Sequence, residues 1–311
     1  MQDYLLLLAG LVVLIAGGEG LVRGASSLAL KFSISPLVVG LTIVAFGTSA
    51  PELLISLTSA LKGSPDLAMG NVVGSNICNI ALILGLTSII SPMGVSKDSR
   101  LIDWPVCMGA SLLLYFFVLN GILTWIEGSI FVFLLVSYNV FLIRKSRKAN
   151  KQLEGYVAEN HSTKSYLKDI SFILIGVVGL YFGAEWFVEG AKNIATLMGI
   201  SERVIGLTVV ALGTSLPELV TSVVAAFRKQ MDMALGNIIG SNVFNVLSIL
   251  GITSIIIPIQ VSPDIIRVDM IWMLIITAML FPMMVLFRKI TRVEGFILLG
   301  TYVAYVLTVM N

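Results

Sequence analysis

The stretch "GTSAPELLIS", Gly47 to Ser56, returns as "GTSLPELVTS", Gly213 to Ser222. Each copy sets a proline and a glutamate inside an apolar run, and nothing else in the chain restricts its fold as tightly. Apolar segments of about twenty residues recur along the sequence, and at 1.5 Å per residue each covers a ~30 Å hydrocarbon core. Strict apolar–polar alternation, the mark of a barrel strand, is absent from these segments, so the spans read as helices. Charged residues make up 12% of the 311 and hydrophobic residues 57%. A soluble globular chain carries roughly 25% charged residues, so this is an integral membrane protein. The first residues, "MQDYLLLLAGLVVLIAGGEG", lack a basic n-region and a small-residue cleavage site and read as a retained first span. Cys78 and Cys107 lie in apolar stretches, say nothing about a disulfide framework and do not pair in any metal-ligand spacing.

Ten spans are expected, at about 3–23, 34–62, 67–91, 101–120, 122–144, 169–190, 200–228, 233–258, 268–288 and 292–310. The one sizeable polar segment, Arg144 to Asp169, divides the chain into residues 1–144, a hydrophilic and mobile linker over 145–168, and residues 169–311. The halves are copies. A constant shift of 166 lays "GLTIVAFGTSAPEL" on "GLTVVALGTSLPEL", "GNVVGSNICN" on "GNIIGSNVFN", and "GGEGLVRGA" at Gly17 on "GAEWFVEGA" at Gly183. Five spans per half is an odd number, so the second copy enters the membrane from the opposite side. The fold class expected is therefore all-α integral membrane, ten transmembrane helices as two inverted five-helix repeats with broken central helices. With the N-terminus outside, sixteen of the twenty Lys and Arg residues fall on the cytoplasmic side, leaving only Lys62, Lys192, Arg203 and Arg267 outside. This arrangement places both termini outside the cytoplasmic membrane and the linker in the cytoplasm.

Glu52 is the only charged residue between Lys31 and Lys62, and Glu218 the only one between Arg203 and Arg228. An ionisable group at mid-span costs at least ~2.5–3.5 kcal/mol and faces a water-filled cavity or a bound partner. No Lys or Arg lies at matching depth, so the missing counter-charge is a cation from solution. Pro51 and Pro217 lack an amide hydrogen and free the carbonyls four residues back, Gly47 and Gly213, so a break is expected in each span with proline in the first turn of the restart. Thr48, Ser49 and Glu52 come to one side of that break. Ser75 and Asn79 lie four apart on the next span, and Ser241 and Asn245 repeat them. The set is all oxygen, which suits hard cations such as Ca²⁺ or Na⁺ rather than metals that prefer thiolate or imidazole.

Other polar residues have plainer readings. Gly70, Gly74, Gly236 and Gly240 have the spacing of close helix packing. Asn71 and Asn237 read as helix-to-helix hydrogen bonds, Glu19 as the partner of Arg23 one turn on, and Glu127 and Glu294 as first-turn residues favoured by the helix dipole. His161 lies in the linker, and Cys78 is expected to pack.

The pair "GTSAPE…GNVVGSNICN" and "GTSLPE…GNIIGSNVFN" resembles the α-repeats of the sodium/calcium exchanger family, of the calcium/cation antiporter superfamily, in its prokaryotic form. The resemblance spans essentially the whole chain. It implies an antiporter whose second, third, seventh and eighth spans carry the ions while the first and sixth slide as a pair. Carried over position by position, it implies ligands at Glu52 and Glu218, at the hydroxyls of Thr48, Ser49, Thr214, Ser215, Ser75 and Ser241, at the amides of Asn79 and Asn245, and at the carbonyls of Ala45 and Ala211. The chain departs from many such exchangers in having asparagine at both 79 and 245, which leaves two carboxylates. Cys78 stands where the second copy has Phe244, and the linker of about 25 residues is too short for the regulatory domain of animal members. The function expected is electrogenic exchange of Na⁺ for Ca²⁺ by alternating access, extruding Ca²⁺, with an H⁺/Ca²⁺ antiporter as the alternative. No cofactor, nucleic acid or obligatory protein partner is expected; the partners are the two ions and the bilayer. A channel would need no inverted repeat, and an intramembrane hydrolase would need a base beside its nucleophile.

Overall fold

The computed structural model describes residues 2–153, 163–199, 211–286 and 288–310. Long apolar helices account for nearly all of them. In chain order they are α1 (Gln2–Lys31), α2 (Pro36–Leu61), α3 (Pro65–Ile90), α4 (Ser99–Asn120), α5 (Trp125–Leu153), α6 (Thr163–Leu197), α7 (Leu216–Phe227), α8 (Met231–Ile256), α9 (Ile265–Leu286) and α10 (Arg292–Met310). Among the described residues nine of these are long and apolar enough to cross a membrane. The tenth, α7, is preceded by a short helical turn, Ala211–Gly213. The part of the expected seventh span before Ala211 and His161 lie outside the described residues, as does most of the polar segment between α5 and α6. Both helices run into that segment, α5 to Leu153 and α6 from Thr163.

Helix α1 and its copy α6 run antiparallel along their length, which is the inversion that an odd number of spans per half requires. Small residues bring the two backbones together. A Cβ on Gly10 would lie 2.5 Å from the Phe187 amide nitrogen, and one on Gly17 would lie 2.7 Å from that of Leu180. Without a hydrophobic force between helices in lipid, backbone approach of this kind is what holds such a pair. Lys31 and Asp169 close its linker end as a buried ion pair.

Of the long helices, α8, α3 and α2 are the most buried, with the other helices around them. The two halves interlock at the centre: a Cβ on Gly40 would meet the Met233 carbonyl oxygen at 2.4 Å, and one on Gly236 would meet that of Leu37 at 2.5 Å. Gly240 likewise packs on Leu41, whereas Gly70 and Gly74 line a cavity of about 170 Å³ with Ser75, Cys78 and Tyr302. Two miniature antiparallel sheets also join the halves. Met93–Gly94 pairs with Lys289–Ile290, and Ile122–Leu123 pairs with Ile259–Gln260. Helices α5 and α10 begin with the same device, a carboxylate that accepts the amide hydrogen three residues back: Glu127 from Thr124 at 2.9 Å and Glu294 from Thr291 at 2.6 Å. The expected first-turn role of these glutamates is thus realised as a cap.

The central helices are irregular in two ways. Wide π turns occupy Gly40–Val44 in α2, Cys78–Leu84 in α3 and Asn245–Leu250 in α8. The break expected at the prolines appears in one copy only. In the second half the chain turns at Thr214 and Ser215, and α7 restarts with Pro217 in its first turn. In the first half the helix Ala45–Leu61 continues through Pro51. Proline removes one rung there, but the rungs on either side hold, and the Thr48 hydroxyl caps the Ala45 carbonyl at 3.2 Å.

Candidate cation site

Helices α2, α3, α7 and α8 bring the sequence-selected residues together between the two halves. Glu52, Glu218, Thr48, Ser49, Ser75, Asn79, Ser215, Ser241 and Asn245 are all buried, and Thr214 is half-buried. The two carboxylates are close enough for their charges to act on each other. Neither forms an ion pair with a basic side chain among the described residues.

The hydroxyls are already engaged across the interface between the halves. Ser49 Oγ donates to Glu218 Oε1 at 3.0 Å, and Ser215 Oγ donates to Ser75 Oγ at 3.4 Å. Thr48 Oγ1 lies 3.2 Å from Asn237 Oδ1 and 3.4 Å from Ser241 Oγ as well as on the Ala45 carbonyl. Around them remain acceptors that no donor reaches among the described residues: both oxygens of Glu52, Oε2 of Glu218, and Oδ1 of Asn79 and of Asn245. Five buried acceptor oxygens, three of them on carboxylates, would each carry a desolvation penalty if nothing bound them. No group of three or more His, Cys, Asp or Glu side chains with metal-binding geometry occurs among the described residues. Any cation held here therefore rests on two carboxylates supplemented by amide and hydroxyl oxygens.

The surrounding asparagines divide by role. Asn71 Nδ2 donates to Ser56 Oγ at 3.1 Å, and its copy Asn237 Nδ2 donates to Ser222 Oγ at 2.9 Å, so both join neighbouring helices as their position suggested. Asn76 and Asn242 escaped the sequence reading, although each follows a selected serine in both copies. Asn76 Nδ2 donates to the Asn242 carbonyl at 3.3 Å, and Asn76 Oδ1 accepts from Asn245 Nδ2 at 3.0 Å. That second bond fixes the Asn245 amide and leaves its carbonyl oxygen open. The amide of Asn79 makes no hydrogen bond at all. The quasi-symmetric asparagines are therefore unlike, one oriented by Asn76 and one unrestrained. Cys78 is buried and packs as expected, in the wall of the cavity that also holds Ser75.

Two inverted five-helix repeats that enclose unpaired carboxylates and neutral oxygens at the middle of their central helices define an ion-coupled secondary transporter. Sequence and structure comparisons narrow that class. The family described as sodium/calcium exchanger protein matches over residues 3–144 and 168–311. The putative antiporter CaxA of Alkalimonas amylolytica is 38% identical over 304 residues, covering 96% of this chain and 95% of the relative. The sodium/calcium exchanger MaX1 of Methanosarcina acetivorans is 33% identical over 340 residues, covering 97% of each. The solved structure of the sodium-calcium exchanger NCX_Mj soaked with 10 mM Na⁺ and zero Ca²⁺ superposes with a TM-score of 0.85 at 33% identity over 98% of each chain. The chain belongs to the sodium/calcium exchanger family.

Proposed function

We propose that this protein exchanges Na⁺ for Ca²⁺ across the cytoplasmic membrane by alternating access, extruding Ca²⁺, with Glu52 and Glu218 as the charged ligands. The observation that carries this reading is the set of five buried acceptor oxygens around two carboxylates, with no donor and no basic side chain on them among the described residues. Two negative charges match one Ca²⁺, and an empty doubly negative site is costly to occlude, which enforces exchange over uniport. The hydroxyls of Thr48, Ser49, Ser75, Thr214, Ser215 and Ser241, the amides of Asn79 and Asn245 and the carbonyls of Ala45 and Ala211 complete the proposed ligand set. Neutral oxygens in this number serve Na⁺ and are superfluous for a proton, which favours sodium as the driving ion over the proton alternative.

In proteoliposomes an outward-directed sodium gradient at fixed pH is expected to drive uptake of labelled Ca²⁺. Uptake is expected to respond to a potassium–valinomycin potential, because the neutral oxygens accommodate more than two Na⁺ per Ca²⁺, and to fall in acid as protons occupy the two carboxylates. Equal uptake driven by a pH gradient without sodium would establish the proton antiporter instead.

The lysine and arginine distribution supports a cytoplasmic linker and external termini. A cysteine in place of Ser162, in a background lacking Cys78 and Cys107, is expected to be protected from an impermeant thiol reagent in intact cells. Ready labelling reverses the topology.

A further inference from the structure

The joint between the α1–α6 pair and the core occurs twice, once in each repeat, and the two copies differ. On the linker side Glu19 of α1 accepts from Arg23 Nε at 2.6 Å and from Nε of Arg228, the residue after α7, also at 2.6 Å; a second contact joins Glu19 to the Arg228 guanidinium. Ser26 adds a hydrogen bond to the Gln230 side chain at 2.7 Å. Beneath this joint Gly18 lies against Thr221 of α7, which is 0% exposed.

The shift of 166 maps Glu19 onto Glu185 of α6, Arg228 onto Lys62 after α2, Gly18 onto Ala184 and Thr221 onto Ile55. On the far side Ile55, Ala184 and Glu185 line a cleft. It measures about 480 Å³ and opens between α6 and the core, lined also by Pro51, Val188 and Pro217, with α6 touching the core at its edge where an added Cβ on Gly213 would meet Val188 at 2.3 Å. Ile55 is 39% exposed where its copy is covered, and among the described residues no ion pair joins Lys62 to Glu185. One copy of the joint is closed and latched, and the other is open and unlatched. In a transporter of inverted repeats the second state is reached when the copies exchange roles.

We propose that Lys62 and Glu185 form, in the state open toward the linker, the ion pair that Arg228 and Glu19 form here, so that each state is held by one of two alternating latches. The inference rests on alternating access and not on the identity of the ions. Each latch has one shared partner. Glu19 sits between Arg23 and Arg228, whereas the copy of Arg23 is Glu189, so Lys62 would sit between two carboxylates. Glu19 and Arg228 are about one-third exposed, and water screens such a pair, so each latch biases the equilibrium without freezing it.

The test uses full-length protein in lipid nanodiscs, with Cys78 and Cys107 replaced by serine and a reporter cysteine at Ile55. Closing the far-side cleft buries the reporter as Thr221 is buried here. Arg228→Gln is expected to slow maleimide labelling of the reporter by about two- to fivefold, the bias an exposed ion pair commands. Glu19→Gln is expected to do the same and serves as the independent variant if Arg228→Gln does not fold. Adding Lys62→Gln to either is expected to restore the rate, and Arg228→Lys to leave it unchanged. Labelling indifferent to loss of the Glu19–Arg228 pair, or slowed labelling that Lys62→Gln does not restore, overturns the proposal. A merely structural role for Arg228 has no route to such rescue from the opposite end of the molecule.

Discussion

Replacing Glu52 by glutamine is expected to reduce sodium-dependent uptake of labelled Ca²⁺ to background while the purified protein stays monodisperse. Glu218→Gln is expected to do the same. Both side chains are fully buried, and among the described residues neither has a basic partner that would be stranded by losing the charge. Folding therefore keeps its shape complementarity, while the site keeps a single negative charge for a dehydrated divalent ion. Removing one member of a buried charge pair costs ~3–5 kcal/mol, more than about a hundredfold in affinity. The two variants differ in one secondary respect. Glu218 Oε1 accepts from Ser49 whereas no donor reaches either Glu52 oxygen among the described residues, so Glu218→Gln also turns a charge-assisted hydrogen bond between the halves into a weaker neutral one and is expected to lower the melting temperature slightly further than Glu52→Gln does. Wild-type transport in either variant would remove that residue from the site.

The second large effect is expected from Gly236→Val. A Cβ at that position would stand 2.5 Å from the Leu37 carbonyl oxygen and 3.0 Å from the Leu41 amide nitrogen, both rigid backbone of the opposite half. Overpacking of this kind costs ~1–3 kcal/mol or more, and a branched side chain can be accommodated only by parting α2 from α8. The expected result is a fall in melting temperature on the order of 10 °C together with loss of transport. Gly109→Ala is the control, since an added Cβ there meets nothing within 4 Å among the described residues. A Gly236→Val protein as stable as that control would mean that the halves do not depend on this contact.

Much of this was legible in the residues because the bilayer simplifies the reading. A carboxylate at mid-span has few explanations, and a shift of 166 that holds through three motifs fixes which residues correspond. The first-turn places of Glu127 and Glu294 are local and carried straight into structure, where their carboxylates take up the amides of Thr124 and Thr291. Pro51 shows where local reasoning stops. The same dipeptide interrupts the helix at Pro217 and not at Pro51, although a threonine stands three residues before each, so the proline and its immediate neighbours do not by themselves decide the outcome. Asn76 was passed over since one polar residue beside another on an apolar helix carries no signal of its partner, and that partner, Asn245, lies in the other half. Local spacing gives Glu19 its partner Arg23 four residues away, while its bond to Arg228 crosses 209 positions that no local spacing can register.

The interlock of Gly40 with Gly236, and the two small sheets whose strands come one from each half, bear on how the protein is made. During synthesis the first five helices enter the bilayer before α8 exists, with Glu52 in place and the backbone edges at Met93–Gly94 and Ile122–Leu123 lacking their partners. The candidate cation site takes residues from both halves and comes into being only when the second half is inserted in the opposite sense. An ancestral single repeat could have met the same requirement only by inserting in both orientations and pairing with its own inverted twin.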